Sequence, residues 1–289
     1  MGDIDTLLKR LTLEPAGGDV FIGHTPNDGR PRVYGGLAVA QSLVAAANTV
    51  DRARVAHSIH GFFLRPGDPK QPIRYEVDRI RDGGSFTTRR VVARQGAEAI
   101  FNAGVSFQVP EDGLSHERPM PDAPAPESLP SETDVFAEYL EQTENPVFDF
   151  LLRVENPVDF RDVDPIDLVD PKPFTGAHRA WCRAFGPMPD DPVLHQAVLA
   201  YCSDRGLLGA CIRQHGFSWL SRELIIASLD HAIWFHRPAR LDEWLLYVTE
   251  SPSSQGGRGL NFGRFYDREG RLVASSAQES LMRRRRPRA

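Results

Sequence analysis

Three cysteines in 289 residues, Cys182, Cys202 and Cys211, are an odd number with no CxxC spacing. They build neither a disulfide framework nor a zinc site, and they point to a reducing, cytoplasmic setting. No run of about 18 apolar residues occurs, so a spanning helix is not expected. The opening segment, 1–11, lacks the continuous apolar stretch of a secretory leader. Lys and Arg total 34 against 39 Asp and Glu, and the net charge of −5 suggests neither a nucleic-acid nor a membrane partner. Nine histidines are scattered without HExxH or any Cys/His metal spacing, so no metal is called for.

Larger motifs are missing too. The segment 216–220 lacks the closing glycine of a GxSxG elbow, and no GxxxxGK[ST] occurs. Gly257-Arg258-Gly259 begins a dinucleotide-like pattern, but Gly263 falls one residue late and precedes a strand-like segment. No cofactor is implied, and any chemistry must use carboxylate, hydroxyl and amide groups. At the ends, Arg283 to Arg286 with Arg288 read as a solvated, frayed tail, because nothing aromatic interleaves them. Met1-Gly2-Asp3-Ile4-Asp5-Thr6 fits a myristoylation pattern short enough to arise by chance.

What is present is an ordinary globular composition, 41% hydrophobic and 25% charged, long enough for two domains. Six prolines between Val109 and Pro130 exclude a helix or a central strand there and mark an extended linker. Within it, Ser131 to Asp134 offer N-caps for a short helix running to Leu140. The flanks of the linker resemble each other. His60-Gly61-Phe62-Phe63-Leu64-Arg65-Pro66 aligns with Ala232-Ile233-Trp234-Phe235-His236-Arg237-Pro238, 172 residues on. Each is followed by three strand-like runs with Gly-containing turns, 73–80, 85–93 and 99–107, then 244–250, 259–266 and 272–278. Each is preceded by one helical segment, 35–48 and 192–203; the first is apolar on nearly every side, so it should be covered almost all round. This predicts an α+β fold, a tandem hot-dog in which an antiparallel sheet wraps a central helix twice. The expected division is an N-terminal hot-dog over 1–110, a proline-rich linker over 111–175 and a C-terminal hot-dog over 176–289.

Val33-Tyr34-Gly35-Gly36, Phe63 to Asp68, Arg81 to Phe86 and Leu129 to Glu132 form an ordered set of motifs. Tyr201-Cys202-Ser203-Asp204, Ser228 to His231, Trp234 to Pro238, 253–259 and Ala277-Gln278-Glu279 continue it. In this order and over nearly the whole length, the chain resembles the type II acyl-CoA thioesterases. The resemblance implies hydrolysis of acyl-CoA to free fatty acid and CoA, without a cofactor, by an oligomer of tandem hot-dog chains. It also implies a catalytic aspartate, Ser/Thr and glutamine, which map to Asp204, Ser228 and Gln278. The aspartate would accept a proton from water that the hydroxyl and amide hold.

Taken singly, Asp204 could merely end a helix, Ser228 could be a turn or edge residue, and Gln278 could face solvent. Asp230-His231 is a competing acid/base pair, which the first half lacks because Ser58 stands opposite Asp230 in the alignment; His231 is expected to be structural. Gly35 and Gly36 could admit substrate to a helix N-terminus or simply allow tight helix packing. Arg258, Arg65 and Arg237 are candidate CoA-phosphate contacts or structural bridges. Leu37 stands where the family carries glutamine. Two rivals are an acyl-CoA hydratase on the same fold and a non-catalytic acyl-CoA-binding module.

Overall fold

A computed structural model describes residues 3–154 and 156–285. In chain order the first half comprises α1 (Ile4–Leu11), β1 (Glu14–Pro15), β2 (Val20–Gly23), α2 (Gly35–Ala47), β3 (Val55–Phe63), β4 (Ile73–Asp82), β5 (Phe86–Gln95) and β6 (Glu98–Gln108). The crossing region holds α3 (Glu132–Thr143), α4 (Pro146–Arg153) and β7 (Val158–Asp162). The second half follows with β8 (His178–Ala184), α5 (Pro192–Ser203), α6 (Gly209–Arg213), β9 (Leu224–Ser228), β10 (Asp230–Phe235), β11 (Leu245–Gln255), β12 (Arg258–Tyr266) and β13 (Leu272–Arg284). Among the described residues no helix is long and apolar enough to cross a membrane.

The strands join in one antiparallel sheet in the order β1-β2-β4-β5-β6-β3-β10-β13-β12-β11-β8-β7, with β9 beside β13. The seam is the β3–β10 ladder, where His60 faces Ala232. These are the two residues related by the 172-residue offset, so the duplication is a pseudo-twofold whose axis crosses this ladder. Residues 36–47 of α2 are all buried, as an all-round apolar helix requires. It runs antiparallel to α5: the Tyr34 hydroxyl donates to the Tyr201 carbonyl at 2.8 Å at one end, and Arg52 pairs with Asp191 at 3.2 Å at the other. The helices approach closely because Gly36 has no side chain; a Cβ there would lie 2.5 Å from the Tyr201 carbonyl oxygen.

The proline-rich strap lies across the outer face of the second half. Met120, Ala123 and Leu129 pack on Trp181, Trp244, Leu246, Val248 and Tyr266, and the Trp181 indole donates to the Pro124 carbonyl at 2.9 Å. The crossing region is richer than the single helix expected. The α3 helix begins with a Ser131/Asp134 capping box and ends at Glu144, whose φ of 50° turns the chain. Asn145 then caps α4, with Pro146 in its first turn. The basic tail also differs from expectation. Arg283 and Arg284 continue β13, paired with Ile225 and Leu224, because backbone pairing with β9 holds whatever the side-chain charge. Arg286 and Arg288, and Met1-Gly2 of the myristoylation pattern, lie outside the described residues.

Candidate active site

Asp204 is the C-cap of α5, at the end where α5 meets the start of α2. The partial negative charge of a helix C-terminus disfavours a carboxylate there, whereas the N-terminus of α2 favours one. The nearer contact is with α2: Asp204 Oδ2 accepts the Gly36 N–H at 2.8 Å. Glycine at position 35 also matters, since a Cβ would stand 2.8 Å from Asp204 Oδ2 and 2.9 Å from the Phe63 ring. Gly35 and Gly36 therefore let a helix N-terminus close on a carboxylate.

Ser228 ends β9 and Gln278 points inward from β13, 1% exposed. The Gln278 amide donates to Ser228 Oγ at 2.9 Å. His231, on β10, is 2.8 Å from Gln278 Oε1 through Nδ1 and 2.8 Å from Ser203 Oγ through Nε2. An amide oxygen only accepts, so Nδ1 carries a proton and donates it there. Donors then run in one direction, from imidazole to amide oxygen and from amide nitrogen to Ser228. The Ser228 hydroxyl, having accepted from the amide, keeps its own proton for the side of Asp204, whose ionised form it favours. Burial pushes Asp204 above the ordinary carboxylate range, against the pull of His231, the Gly36 N–H, the Ser228 hydroxyl and Arg32.

This arrangement joins the three residues that the sequence proposed. A family model described as acyl-CoA thioesterase matches residues 163–281, and one described as acyl-CoA thioesterase N-terminal domain matches residues 24–108. The chain is 34% identical to acyl-CoA thioesterase 2 of Haemophilus influenzae, covering 98% of this chain and 99% of that one. It is 36% identical to human acyl-coenzyme A thioesterase 8, over 98% of this chain and 91% of the relative. The crystal structure of acyl-CoA thioesterase II TesB2 from Mycobacterium marinum superposes with a TM-score of 0.79 at 40% identity, covering 98% and 99%. The chain belongs to the acyl-CoA thioesterase II family. These are thioester hydrolases, and the tandem hot-dog architecture is theirs.

Within this thioesterase only the second half assembles the hydrogen-bond chain. His60 and Ala232 are equivalent, and they face Gly104 and Ala277 on their next neighbours, so Val105 corresponds to Gln278. Ile59 corresponds to His231 and Ala56 to Ser228, while Asn48 caps α2 where Asp204 caps α5. Gln278 faces Asn261 across the β12–β13 ladder; Val105 faces Arg89 across β5–β6. Arg89 is buried and fills the vacated end of the first half. It donates to Thr49 Oγ1 at 2.9 Å, to the Thr49 carbonyl at 3.2 Å and to Asp82 at 2.6 Å.

The other candidates fall elsewhere. Arg258 pairs with Glu279 at 2.8 Å, and Glu279 points to the face opposite its neighbour Gln278. Arg65 pairs with Glu98 and Arg237 with Glu117, each at 2.6 Å, so both bridge loops. Asp230 Oδ1 accepts the Glu279 N–H at 2.7 Å and pins the junction between β9 and β10. Leu37 is buried in the main core. Among the described residues no cluster of three His, Cys, Asp or Glu side chains could hold a metal ion.

Sequence reasoning missed the polar layer behind Gln278. Asn261 donates to the Gln278 carbonyl at 3.1 Å and to Ser280 Oγ at 3.2 Å, and Ser203 Oγ lies 2.8 Å from His231 Nε2. A signal existed in β13, where the inward positions Ser276, Gln278 and Ser280 are all polar on a face that should be apolar.

Proposed function

We propose that Asp204 is the general base of acyl-CoA hydrolysis and that Ser228 and Gln278 hold the attacking water against it. The water oxygen attacks the thioester carbonyl carbon as its proton passes to Asp204. The tetrahedral intermediate then collapses with cleavage of the C–S bond, giving free fatty acid and CoA thiolate, which takes back the proton from Asp204 directly or through solvent and so regenerates the base. Thiolate is a good leaving group, so no strong general acid is needed. The positive end of α2 lies where negative charge develops on the carbonyl oxygen. The single observation that carries this proposal is the one-directional run of donors from His231 through Gln278 to Ser228, set beside a half-buried carboxylate held at a helix N-terminus. The division of the chain belongs to the same proposal: 176–289 carries the chemistry, 1–110 supplies the α2 terminus, and 111–175 straps the two.

A hydratase would need Asp230 and His231 to work as a couple. They are consecutive in β10 and point to opposite faces, and both His231 ring nitrogens are engaged. A pure binding module would have no use for a base raised by burial. The test is free-thiol release from a panel of acyl-CoAs, with single turnovers quenched to look for acyl-protein. Thiol release without an acyl intermediate is expected. Binding without release at every chain length would refute hydrolysis, and trapped acyl-protein would refute direct attack by water.

Self-association is part of the same proposal, because β7 and β1 are open sheet edges and the chain exposes Phe62 and Ile80. Light scattering should give a multiple of the 32.2 kDa chain mass, and a monomer at micromolar concentration would contradict it.

A further inference from the structure

A chamber of about 540 Å³ opens between the crossing region and the second half, walled by β7, β8 and β11 and covered by α3, α4 and α6. Its volume lies in the usual range for small-molecule sites. Phe136, Leu151, Phe160, Ile166, Leu208 and Phe217 give it apolar walls. It begins beside the reaction centre. Arg205 and Gly206, which line it, directly follow Asp204, and Tyr247, also in its wall, donates its hydroxyl to the Ser203 carbonyl at 2.6 Å.

The polar groups of the wall are grouped, and their valences are open. His178 and Thr249 face each other across the β8–β11 ladder, and both are more than nine-tenths buried. The Thr249 hydroxyl makes no hydrogen bond within the protein, nor does Arg213 Nη1 on α6. Asp162 lies 3.1 Å from His178 Nε2. Desolvation on the chamber wall pushes the Asp162 carboxyl up, though 45% of its side chain stays exposed, and His178 and the charges of Arg213 and Arg205 outweigh it and hold it below the usual range. The group thus offers one anion, one cation, a hydroxyl and an imidazole. A buried hydroxyl left without a partner costs about 1–3 kcal/mol, so its retention in this wall calls for a ligand group.

We propose that this chamber receives the acyl chain and that Thr249, with Arg213 and His178, selects chains bearing a hydroxyl in their distal part. The proposal rests on the hydrolytic function above and names the substrate class for that site. A carboxylate at the chain end would meet Asp162, and an ammonium would meet Arg213. A neutral hydroxyl, which both donates and accepts, matches donors and acceptors together. Thr249 is a specificity residue here, outside the bond-breaking step.

The test compares acyl-CoAs of one length, plain or with a hydroxyl moved along the distal half, in the wild type, Thr249→Val and Thr249→Ser. The best hydroxylated substrate should exceed the plain one about 10-fold in kcat/KM, the worth of one added buried hydrogen bond. That ratio should collapse to about one in Thr249→Val and return in Thr249→Ser. Hydrolysis with no hydroxyl position preferred, or a preference that survives Thr249→Val, overturns the chamber's role and leaves the thioesterase standing. Calorimetric titration with the free hydroxy acid and the plain acid needs no hydrolysis. Tighter binding of the hydroxy acid, lost in Thr249→Val, would uphold the chamber even if no thioester were cleaved; equal binding would overturn it.

Discussion

At Asp204 two demands oppose each other. Burial resists ionisation, while the Gly36 N–H, the Ser228 hydroxyl and His231 favour it, and burial prevails. A base with a raised pKa takes a proton more readily when water is attacked, but it is lost sooner on acidification. As pH falls through the Asp204 pKa the base is protonated, so kcat/KM should fall on an acid limb above the ordinary aspartate value of about 3.9. A limb at or below that value, measured with a neutral-chain substrate, would contradict the assignment. The sign for stability is the reverse. A carboxyl whose pKa is higher in the folded state binds its proton more tightly there. Its favourable contribution is fully present below the unfolded value and is lost as pH rises through the folded value. At neutral pH the ionised group is therefore a cost to the fold, as the proposed role of general base would require.

At the scale of elements, α2 and α5 are the axle of the molecule, and their two ends have diverged. One end holds Asp204 beside Gly36; the other lies near Arg89, whose guanidinium is spent on Thr49, Asp82 and backbone carbonyls. Arg89→Met should cost about 2 kcal/mol in urea unfolding, because Thr49 and those carbonyls lose buried donors. Thiol release should be unaffected, since Arg89 contacts none of the chemistry; a matching loss of activity would show that the first half still contributes a site there. These helices and the six long strands were legible in the sequence, because an all-round apolar run and strict alternation each have one structural solution. The strands β7 and β8 were not: each is short, and Pro165, Pro171 and Pro173 between them masked the pairing of Val158 with Ala184. Asp204, Ser228 and Gln278 were legible only through family resemblance, since a C-cap, a strand end and a strand interior share no local pattern. His231 was expected to be structural, yet its two ring nitrogens fix which way the Gln278 amide points.

At the scale of the whole molecule, duplication gave two wraps around antiparallel helices, and only one of them carries a donor chain set beside a carboxylate. In the proposed mechanism the first half is nevertheless part of the reaction centre, because Gly36 at the head of its helix holds the Asp204 side chain. The strap from Glu117 to Leu129 clamps the second half along its outer face through Arg237, Trp181 and the Trp244 cluster. A sheet continuous across the seam keeps both halves in register, so the distance between α2 and Asp204 is set by the fold as a whole. The most direct test of this account is free-thiol release by Asp204→Asn beside its thermal unfolding. Removal of the base should lower kcat about 10²–10⁴-fold, while Tm stays level or rises because a buried charge has gone. Full activity in a folded Asp204→Asn protein would contradict it.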